Sequence, residues 1–248
     1  MLKQARQSKI LEAVNELKYV SLGDLVTLTG ASESSVRADL VELAREEKLI
    51  RLRGGAQALN SESISYELSV EAKMGIEVDA KKRIAVYAAS LIPDNSMVYI
   101  DAGTSTYYLT EAVTAVRAKF VTNSVAIAKV LKAKGYQVYV IGGEFKSTTD
   151  AFIGAMTREI IAKFSFDLGF FGCNGIDLEQ GITTPDYEEA VVKRAAMGQC
   201  AKVYVLADHT KFGVRTAVSF HPFIGEEIIT DRTPKSPFNG KGIKEVHP

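Results

Sequence analysis

Residues 31–56, ASESSVRADLVELAREEKLIRLRGGA, decide the fold of the N-terminal part of the chain. Ser32 can cap the start of a helix whose buried face would be Val36, Leu40 and Leu43, which are spaced three and four residues apart. Short apolar runs then flank a glycine pair at positions 54 and 55, and this favours two strands joined by a tight turn. The stretch therefore predicts a helix followed by a β-hairpin.

Two further helices are indicated upstream of this stretch. In the first, apolar residues recur at helical spacing, at Ile10, Leu11, Val14 and Leu17. Gly30 ends the second. Three helices followed by a hairpin are typical of a winged helix-turn-helix, which we assign to residues 1–58. In such a domain the second helix supports the third, and the third lies in the major groove of DNA.

The exposed residues of the third helix and the hairpin are the candidate DNA contacts, because serine hydroxyls bind phosphates or base edges and arginine binds guanine. These candidates are Ser32, Ser34, Ser35, Arg37, Arg51 and Arg53. The alternative is a small helical bundle with a solvated charged face. Residues 1–58 carry nine basic and eight acidic residues, so a net charge of +1 does not decide. The distribution favours DNA binding, because the hairpin carries two arginines while Asp39, Glu42 and Glu46 occupy later turns of the helix.

Composition limits the classes of protein to consider. The 248 residues have a net charge of zero, so any surface for nucleic acid has to be local. Two cysteines without a CxxC motif indicate a reducing compartment, and the three histidines lack metal-ligand spacing. The N-terminus does not resemble a signal peptide, and no apolar run reaches the ~18 residues of a membrane span. We therefore expect a cytoplasmic protein with no metal and no cofactor.

From residue 81 onward, helical stretches alternate with short β-rich runs. This alternation predicts βαβ units and a mostly parallel sheet over residues 81–248. Residues 59–80 are polar, and we interpret them as a linker that contains one helix near residues 65–74. The predicted fold class is α/β, with a small winged helix-turn-helix before a larger α/β domain.

Small and polar residues follow the β-rich runs, among them Asp101, Asn123, Gly142, Gly143, Asp177, Asp208 and Asp231. In open parallel sheets, ligands bind at the carboxyl ends of the strands. The sequence therefore predicts a binding site at this edge of the sheet.

The segment DAGTSTYYL, residues 101–109, is the most informative of these strand ends. Gly103 permits a tight turn, Thr104 and Ser105 offer hydroxyls, and the following helix offers free backbone N–H groups, so an anion can bind there. Lys193 and Lys211 could add positive charge. The structural alternative is that glycine and threonine only cap the helix.

Two sets of motifs resemble the DeoR family of bacterial transcriptional regulators. The helix-turn-helix signature is matched by Ser32, Arg37, Asp39, Leu40, Leu43, Leu49, Arg51, Gly54, Gly55 and Ala56. Ala38 and Arg53 depart from it, since the family usually has arginine and histidine there, and these departures bear on the operator sequence. The sensor signature is matched by Gly175, Ile176, Asp177, Gly181, Thr183, Lys193, Ala207, Asp208, Lys211, Phe212 and Gly213.

The resemblance implies a sensor domain similar to ribose-5-phosphate isomerase, glucosamine-6-phosphate deaminase and coenzyme A transferases, with a sugar phosphate as effector. It implies effector contacts from Asp101, Gly103, Thr104, Ser105, Asn123, Gly142, Gly143, Asp177, Lys193, Asp208 and Lys211. The chain would be a homo-oligomeric repressor, a dimer or tetramer, of a sugar or carbon metabolism operon. A phosphorylated sugar would release it from double-stranded operator DNA.

A sugar-phosphate isomerase or deaminase-like enzyme is the alternative function. Asp186, Glu188 and Glu189 could do acid–base work. Acidic residues in the first turn of a helix are equally explained by their favourable interaction with the helix dipole. Because a DNA-binding part argues for sensing over turnover, we predict a regulator and not an enzyme.

Overall fold

The structure is a computed structural model that describes residues 2–17, 19–46, 48–52, 55–58, 69–234 and 237–247. The chain divides into two compact units, Met1–Tyr66 and Glu67–Pro248. Each unit has its own hydrophobic core and is described by itself.

The described residues of the first unit form three helices and three short strands. In chain order they are α1 (Lys3–Leu17), β1 (Tyr19–Ser21), α2 (Leu22–Thr29), α3 (Glu33–Arg45), β2 (Ile50–Leu52) and β3 (Gly55–Gln57). The strands form one antiparallel sheet in the order β1-β3-β2. This confirms the winged helix-turn-helix, and it adds β1, which the sequence analysis did not predict.

The core of the first unit is the apolar face expected from the helical spacing. Ile10 and Val14 of α1 and Val36, Leu40 and Leu43 of α3 are all buried. Gly30 ends α2 at a φ of +63°, a backbone conformation that glycine adopts without strain. The hairpin pairs Leu52 with Gly55, so Gly55 lies in β3 and not in the turn. Positions 53 and 54 and the side chain of Leu17 lie outside the described residues.

The second unit alternates helices and strands along the chain. Its elements are α4 (Val70–Met74), α5 (Val78–Ser90), β4 (Met97–Ile100), α6 (Thr104–Ala112), β5 (Lys119–Thr122), α7 (Val125–Ala133), β6 (Gln137–Val140), β7 (Glu144–Lys146), β8 (Ala151–Ile153), α8 (Gly154–Ile161), β9 (Phe166–Gly172), β10 (Gly175–Asp177), β11 (Gly181–Thr184), α9 (Tyr187–Met197), β12 (Cys200–Leu206), β13 (Val218–His221), β14 (Ile228–Thr230) and β15 (Lys244–Glu245). Two short 3-10 helices cover His209–Lys211 and Gly225–Glu227.

Seven strands form the central sheet, in the order β15-β14-β12-β9-β4-β5-β6, and every neighbouring pair is parallel. Successive side chains of β4 pack in the hydrophobic cores on opposite faces of the sheet. Val98 and Ile100 belong to one core and Tyr99 to the other. Burial on both faces explains why these strands read as continuous apolar runs. The expected mostly parallel α/β fold is confirmed.

Two small antiparallel groups complete the second unit. Strands β7 and β8 form a hairpin, and β10, β11 and β13 form a three-stranded sheet. The apolar residues 168–177 are divided between β9 and β10, because the chain leaves the central sheet after Gly172.

The interpretation of residues 59–80 as a linker differs from the structure. Ser69 caps α4 by accepting a hydrogen bond from the Ala72 N–H, so this helix begins at Val70 and not near residue 65. Residues 69–80 contain α4 and the start of α5, and they belong to the second unit. Residues 59–68 lie outside the described residues.

The strand order reverses direction between β4 and β9. From β4 the chain adds β5 and β6 on one side, and from β9 it adds β12, β14 and β15 on the other. In open parallel sheets, a crevice forms at such a switch point, outside the carboxyl ends of the strands. Here those ends carry Asp101, after β4, and Cys173, after β9.

Candidate effector site and nucleic-acid interface

A small cleft with mostly polar lining residues lies at the switch point. It is lined by Asp101, Ala102, Asn123, Thr149, Ala151, Glu189 and Lys193. Three of these, Asp101, Asn123 and Lys193, were predicted as effector residues from the sequence. The structure brings them together from β4, β5 and α9.

The buried ion pair between Asp101 and Lys193 forms the floor of this cleft. The carboxylate also accepts a hydrogen bond from the Gly172 N–H at 3.4 Å, and the Lys193 ammonium donates to the Gly172 carbonyl at 3.3 Å. Burial raises the pKa of Asp101, while the charge of Lys193 opposes that shift. The pair thereby fixes the end of β4 to the end of β9.

Asn123 is held in one orientation at the end of β5. Its side-chain oxygen accepts from the Ala102 N–H at 3.0 Å, and its side-chain nitrogen donates to the Phe152 carbonyl at 3.1 Å. Both the oxygen and the nitrogen of the amide are therefore hydrogen-bonded. These two bonds connect the loop after β4 to β8.

Glu189 and Thr149 also line the cleft, and the effector prediction did not include them. The Glu189 carboxylate accepts from the Thr149 hydroxyl at 2.6 Å and from Lys146 at 2.8 Å. Asp186 caps α9 by accepting from the Glu189 N–H at 2.9 Å, and it also pairs with Lys146 at 3.0 Å. The helix-terminus interpretation thus accounts for Asp186, whereas Glu189 faces the cleft.

A second charged cluster lies at the end of β12, around Asp208. The Asp208 carboxylate is fully buried and accepts from the Thr210 N–H at 3.0 Å and from the Thr210 hydroxyl. Burial alone would raise its pKa, but the charges of Lys211 and Lys81 and the Thr210 hydrogen bonds lower it. The Oδ2 atom of Asp208 is buried and finds no hydrogen-bond partner among the described residues.

Lys81 of α5 is the residue of this cluster that the sequence analysis missed. It is 3% exposed, and its ammonium donates to the carbonyls of Lys73 and Ile76, both at 2.7 Å. Burial, assisted by the charge of Lys211, lowers its pKa to about 8. One signal was available, because Lys81 lies on the same apolar face as Ile84, Ala85 and Ala88.

The two charged clusters lie close to each other. The Cys173 thiol, at the end of β9, has a pKa raised to about 12 by burial, and the charges of Lys211, Asp208 and Lys193 also act on it. One thiol therefore lies within electrostatic range of both clusters. Within the described residues no group of three or more His, Cys, Asp or Glu side chains is arranged to hold a metal ion.

The remaining predicted effector residues lie outside the lining of the cleft. Gly103 is the residue before α6, and Thr104 and Ser105 form its buried first turn. Gly142 and Gly143 follow β6. A Cβ at Gly143 would lie 2.0 Å from Thr157 Oγ1, so close packing against α8 explains that glycine.

Asp177 has a local structural role. Its carboxylate accepts from the backbone N–H groups of Glu179 and Gln180, both at 2.8 Å, and so it stabilises the turn between β10 and β11. The prediction of Asp177 as an effector contact has no support from this geometry.

The exposed N-terminal turn of α3 is the candidate DNA surface. Ser32 caps the helix by accepting from the Ser35 N–H at 3.3 Å, and the Ser32 hydroxyl lies 3.0 Å from that of Ser34. Arg37 is half exposed and donates to Glu33 at 2.6 and 2.9 Å. Arg51 is exposed on β2, and Arg53 lies outside the described residues.

The acidic residues on the later turns of α3 pair with α1. Asp39 is buried, not solvated, and it binds the Arg6 guanidinium. Glu42 pairs with Lys3 at 2.5 Å, and this hydrogen bond lowers the pKa of Glu42. These carboxylates hold two helices together, so the acidic half of α3 does not oppose a DNA-binding face at its N-terminus.

Both units match models of known protein families. The profile described as a DeoR-like helix-turn-helix domain matches residues 6–62, and the profile described as the DeoR C-terminal sensor domain matches residues 76–232. The described part of the chain has no helix that is long and apolar enough to cross a membrane.

Three curated relatives match along most of their length. The uncharacterized HTH-type transcriptional regulator FruR of Bacillus subtilis is 36% identical over 99% of this chain and 98% of its own. The glycerol-3-phosphate regulon repressor of Escherichia coli is 32% identical over 94% and 93%. The lactose phosphotransferase system repressor of Staphylococcus aureus is 32% identical over 89% and 88%. The chain belongs to the DeoR family of helix-turn-helix transcriptional regulators.

Proposed function

We propose that this protein is a transcriptional repressor whose operator binding is released by a small phosphorylated sugar or polyol. The observation that carries the proposal is the pair of charged clusters at the carboxyl ends of the central strands, one around Asp101 and Lys193 and one around Asp208 and Lys211. The names of two relatives support it, since one is a glycerol-3-phosphate regulon repressor and the other a lactose phosphotransferase system repressor.

The cleft suits the hydroxyl groups of the effector. The cleft is lined by the Glu189 carboxylate, the Thr149 hydroxyl, the Asn123 amide and the Asp101–Lys193 ion pair. Carboxylates and amides bind hydroxyl donors well, whereas two carboxylates facing one cleft disfavour an anion. We therefore assign the hydroxylated end of the effector to this cleft.

The phosphate suits the cationic side of the site. Lys81 and Lys211 both approach Asp208, so two positive charges face one carboxylate there. The first turn of α6, at Thr104 and Ser105, offers backbone N–H groups and the positive end of the helix dipole. A phosphate between this turn and the two lysines would gain charge-assisted hydrogen bonds from both.

On the DNA side, the N-terminal turn of α3 and the wing strand β2 supply the contacts to the operator. We propose that Arg37 reads a base and that Arg51 and Arg53 bind phosphates. The chain works in the cytoplasm. It acts there as a homo-oligomer, because a single DNA-binding unit makes only half of the contacts of a paired operator site.

Two assays on the full-length protein test this function. The first selects DNA fragments from a random library and measures their affinity. The second measures the melting temperature of the protein with glycerol 3-phosphate, ribose 5-phosphate and hexose phosphates, because a ligand of the native state raises it by mass action. The proposal requires a selected DNA site and at least one stabilising sugar phosphate. Turnover of such a compound without any selected DNA would instead support the isomerase alternative, with Glu189 as its base.

A further inference from the structure

Helix α4 is the first described element after residues 59–68, the segment that follows the wing of the DNA-binding unit. It has five residues, and none of its side chains is buried. A helix this short is not stable by itself in water, and tertiary contacts have to hold it. The contacts of its backbone therefore decide whether it forms.

Three parts of the sensor unit hold the backbone around α4. At its start, the Val70 N–H donates to the Thr148 carbonyl at 3.1 Å. At its end, the Tyr108 hydroxyl donates to the Met74 carbonyl at 3.1 Å. Just beside that end, the buried Lys81 ammonium donates to the carbonyls of Lys73 and Ile76, both at 2.7 Å.

Each of these three partners belongs to an element of the effector site. Thr148 precedes Thr149, which lines the cleft. Tyr108 lies on α6, whose first turn follows the β4 loop. Lys81 interacts electrostatically with Asp208 and Lys211. These hydrogen bonds connect the short helix nearest in sequence to the DNA-binding unit with the loop before Thr149, with α6 and with the buried Lys81.

We propose that α4 is a latch that couples the effector site to DNA binding, and that its bonds to Thr148, Tyr108 and Lys81 favour the state that binds DNA. An anion bound beside Lys81 would compete for its ammonium group with the carbonyl of Lys73, in α4, and with that of Ile76, which follows the helix. The ligand therefore favours the state in which α4 is released, which is the differential affinity that any effector response requires. This inference rests on the proposed function and names the route by which that site acts.

The sharpest test removes one latch bond without touching the effector site. Val70→Pro deletes the N–H that donates to Thr148, and proline is well tolerated at the first position of a helix. Ser69 has φ −61° and ψ 157°, values that suit a residue before proline. Val70→Ala is the matched control, because it shortens the same side chain but keeps the N–H.

Operator affinity is measured for the full-length variants on a DNA fragment selected by the wild-type protein, without effector. Val70→Pro should weaken binding by about five-fold relative to Val70→Ala, the factor expected for one lost hydrogen bond. Tyr108→Phe, which removes only the hydroxyl, should weaken it by a similar factor. An effector should also reduce the operator affinity of both variants by a smaller factor than that of wild type, because the latch is already loosened.

The outcomes separate the latch from the function on which it rests. If wild type selects no DNA, the proposed function fails. If wild type binds its operator and both Val70→Pro and Tyr108→Phe, with unchanged melting temperatures, bind as tightly as Val70→Ala, the latch is wrong and the function stands. If one variant shows no melting transition and is therefore unfolded, the operator affinity of the other variant decides whether α4 is a latch.

Discussion

Helix α3 and the edge of the sensor sheet use charged residues in opposite ways. On α3 the candidate DNA contact Arg37 is half exposed, and its partner Glu33 lies one helical turn away. At the sheet edge, Asp101 and Lys193 are buried and lie 92 residues apart in sequence. An exposed pair contributes little to stability and is free to exchange partners. A buried pair is costly to break and therefore holds a site in one shape.

The largest expected effect comes from breaking the buried pair. Lys193→Met leaves the Asp101 carboxylate buried without its cation, and this should lower the free energy of unfolding at neutral pH by about 3–5 kcal/mol. Urea denaturation of the full-length protein measures the loss. Adding Asp101→Asn to that variant should recover part of it, as a double-mutant cycle would register. Equal losses in the single and double variants would mean that the pair does not act as a unit.

The second effect concerns the anion site proposed at α6. Thr104→Asp places a carboxylate where the phosphate would bind, and like charges about 4 Å apart in a partly dry site repel by about 4 kcal/mol. Release of operator DNA should then require at least ~100-fold more effector, while operator affinity itself stays unchanged. Thr104→Ser is the control that keeps the hydroxyl. If Thr104→Asp releases operator DNA at the effector concentration that suffices for wild type, this loop is a structural turn and not an anion site.

The third effect concerns the exposed face of α3 and the wing. Arg37→Ala should cost about 1–3 kcal/mol of operator affinity if the side chain reads a base. Arg51→Ala should weaken binding to all DNA sequences alike and flatten the salt dependence by about one unit. Binding measured from low to high salt separates the two roles. A uniform loss for Arg37→Ala would assign it to a phosphate instead.

The smallest effect is a pH dependence at Lys81. Because burial lowers its pKa to about 8 from 10.5, Lys81 is charged below pH 8 and loses its proton above it. An anionic effector that needs this charge should bind about ten-fold more weakly one pH unit above 8 than it does well below pH 8, where Lys81 is fully charged. Lys81→Arg keeps its charge over this range and should give a flat profile. The facing groups Asp208, Glu77, Lys73 and Lys211 are common to both proteins, so identical profiles would exclude Lys81 as the cause.

Sequence reasoning succeeded where structure depends on neighbours along the chain. The helical spacing of Val36, Leu40 and Leu43 and the apolar runs of the parallel strands report local geometry and burial, and both were predicted correctly. It failed where a role depends on a distant partner. Asp39 was placed on a later turn of α3, but its burial against Arg6, 33 residues upstream, was not predicted.

The candidate site shows the same limit. Asp101, Asn123 and Lys193 were found because strand ends converge in a parallel sheet and because the family resemblance named them. Glu189 could not be assigned to the cleft from sequence, since its partners Thr149 and Lys146 come from the β7–β8 hairpin. Lys81 was missed because its contacts depend on how α5 packs beside β12 and α4.

The central claim is that a phosphorylated small molecule bound at the sheet edge releases the DNA-binding unit. The most direct measurement titrates the full-length protein, bound to its selected operator, with each sugar phosphate and with the same sugar lacking the phosphate. The account predicts release by at least one phosphorylated compound and none by its unphosphorylated counterpart at the same concentration. Release by both members of a pair alike, or by neither member of any pair, would contradict it.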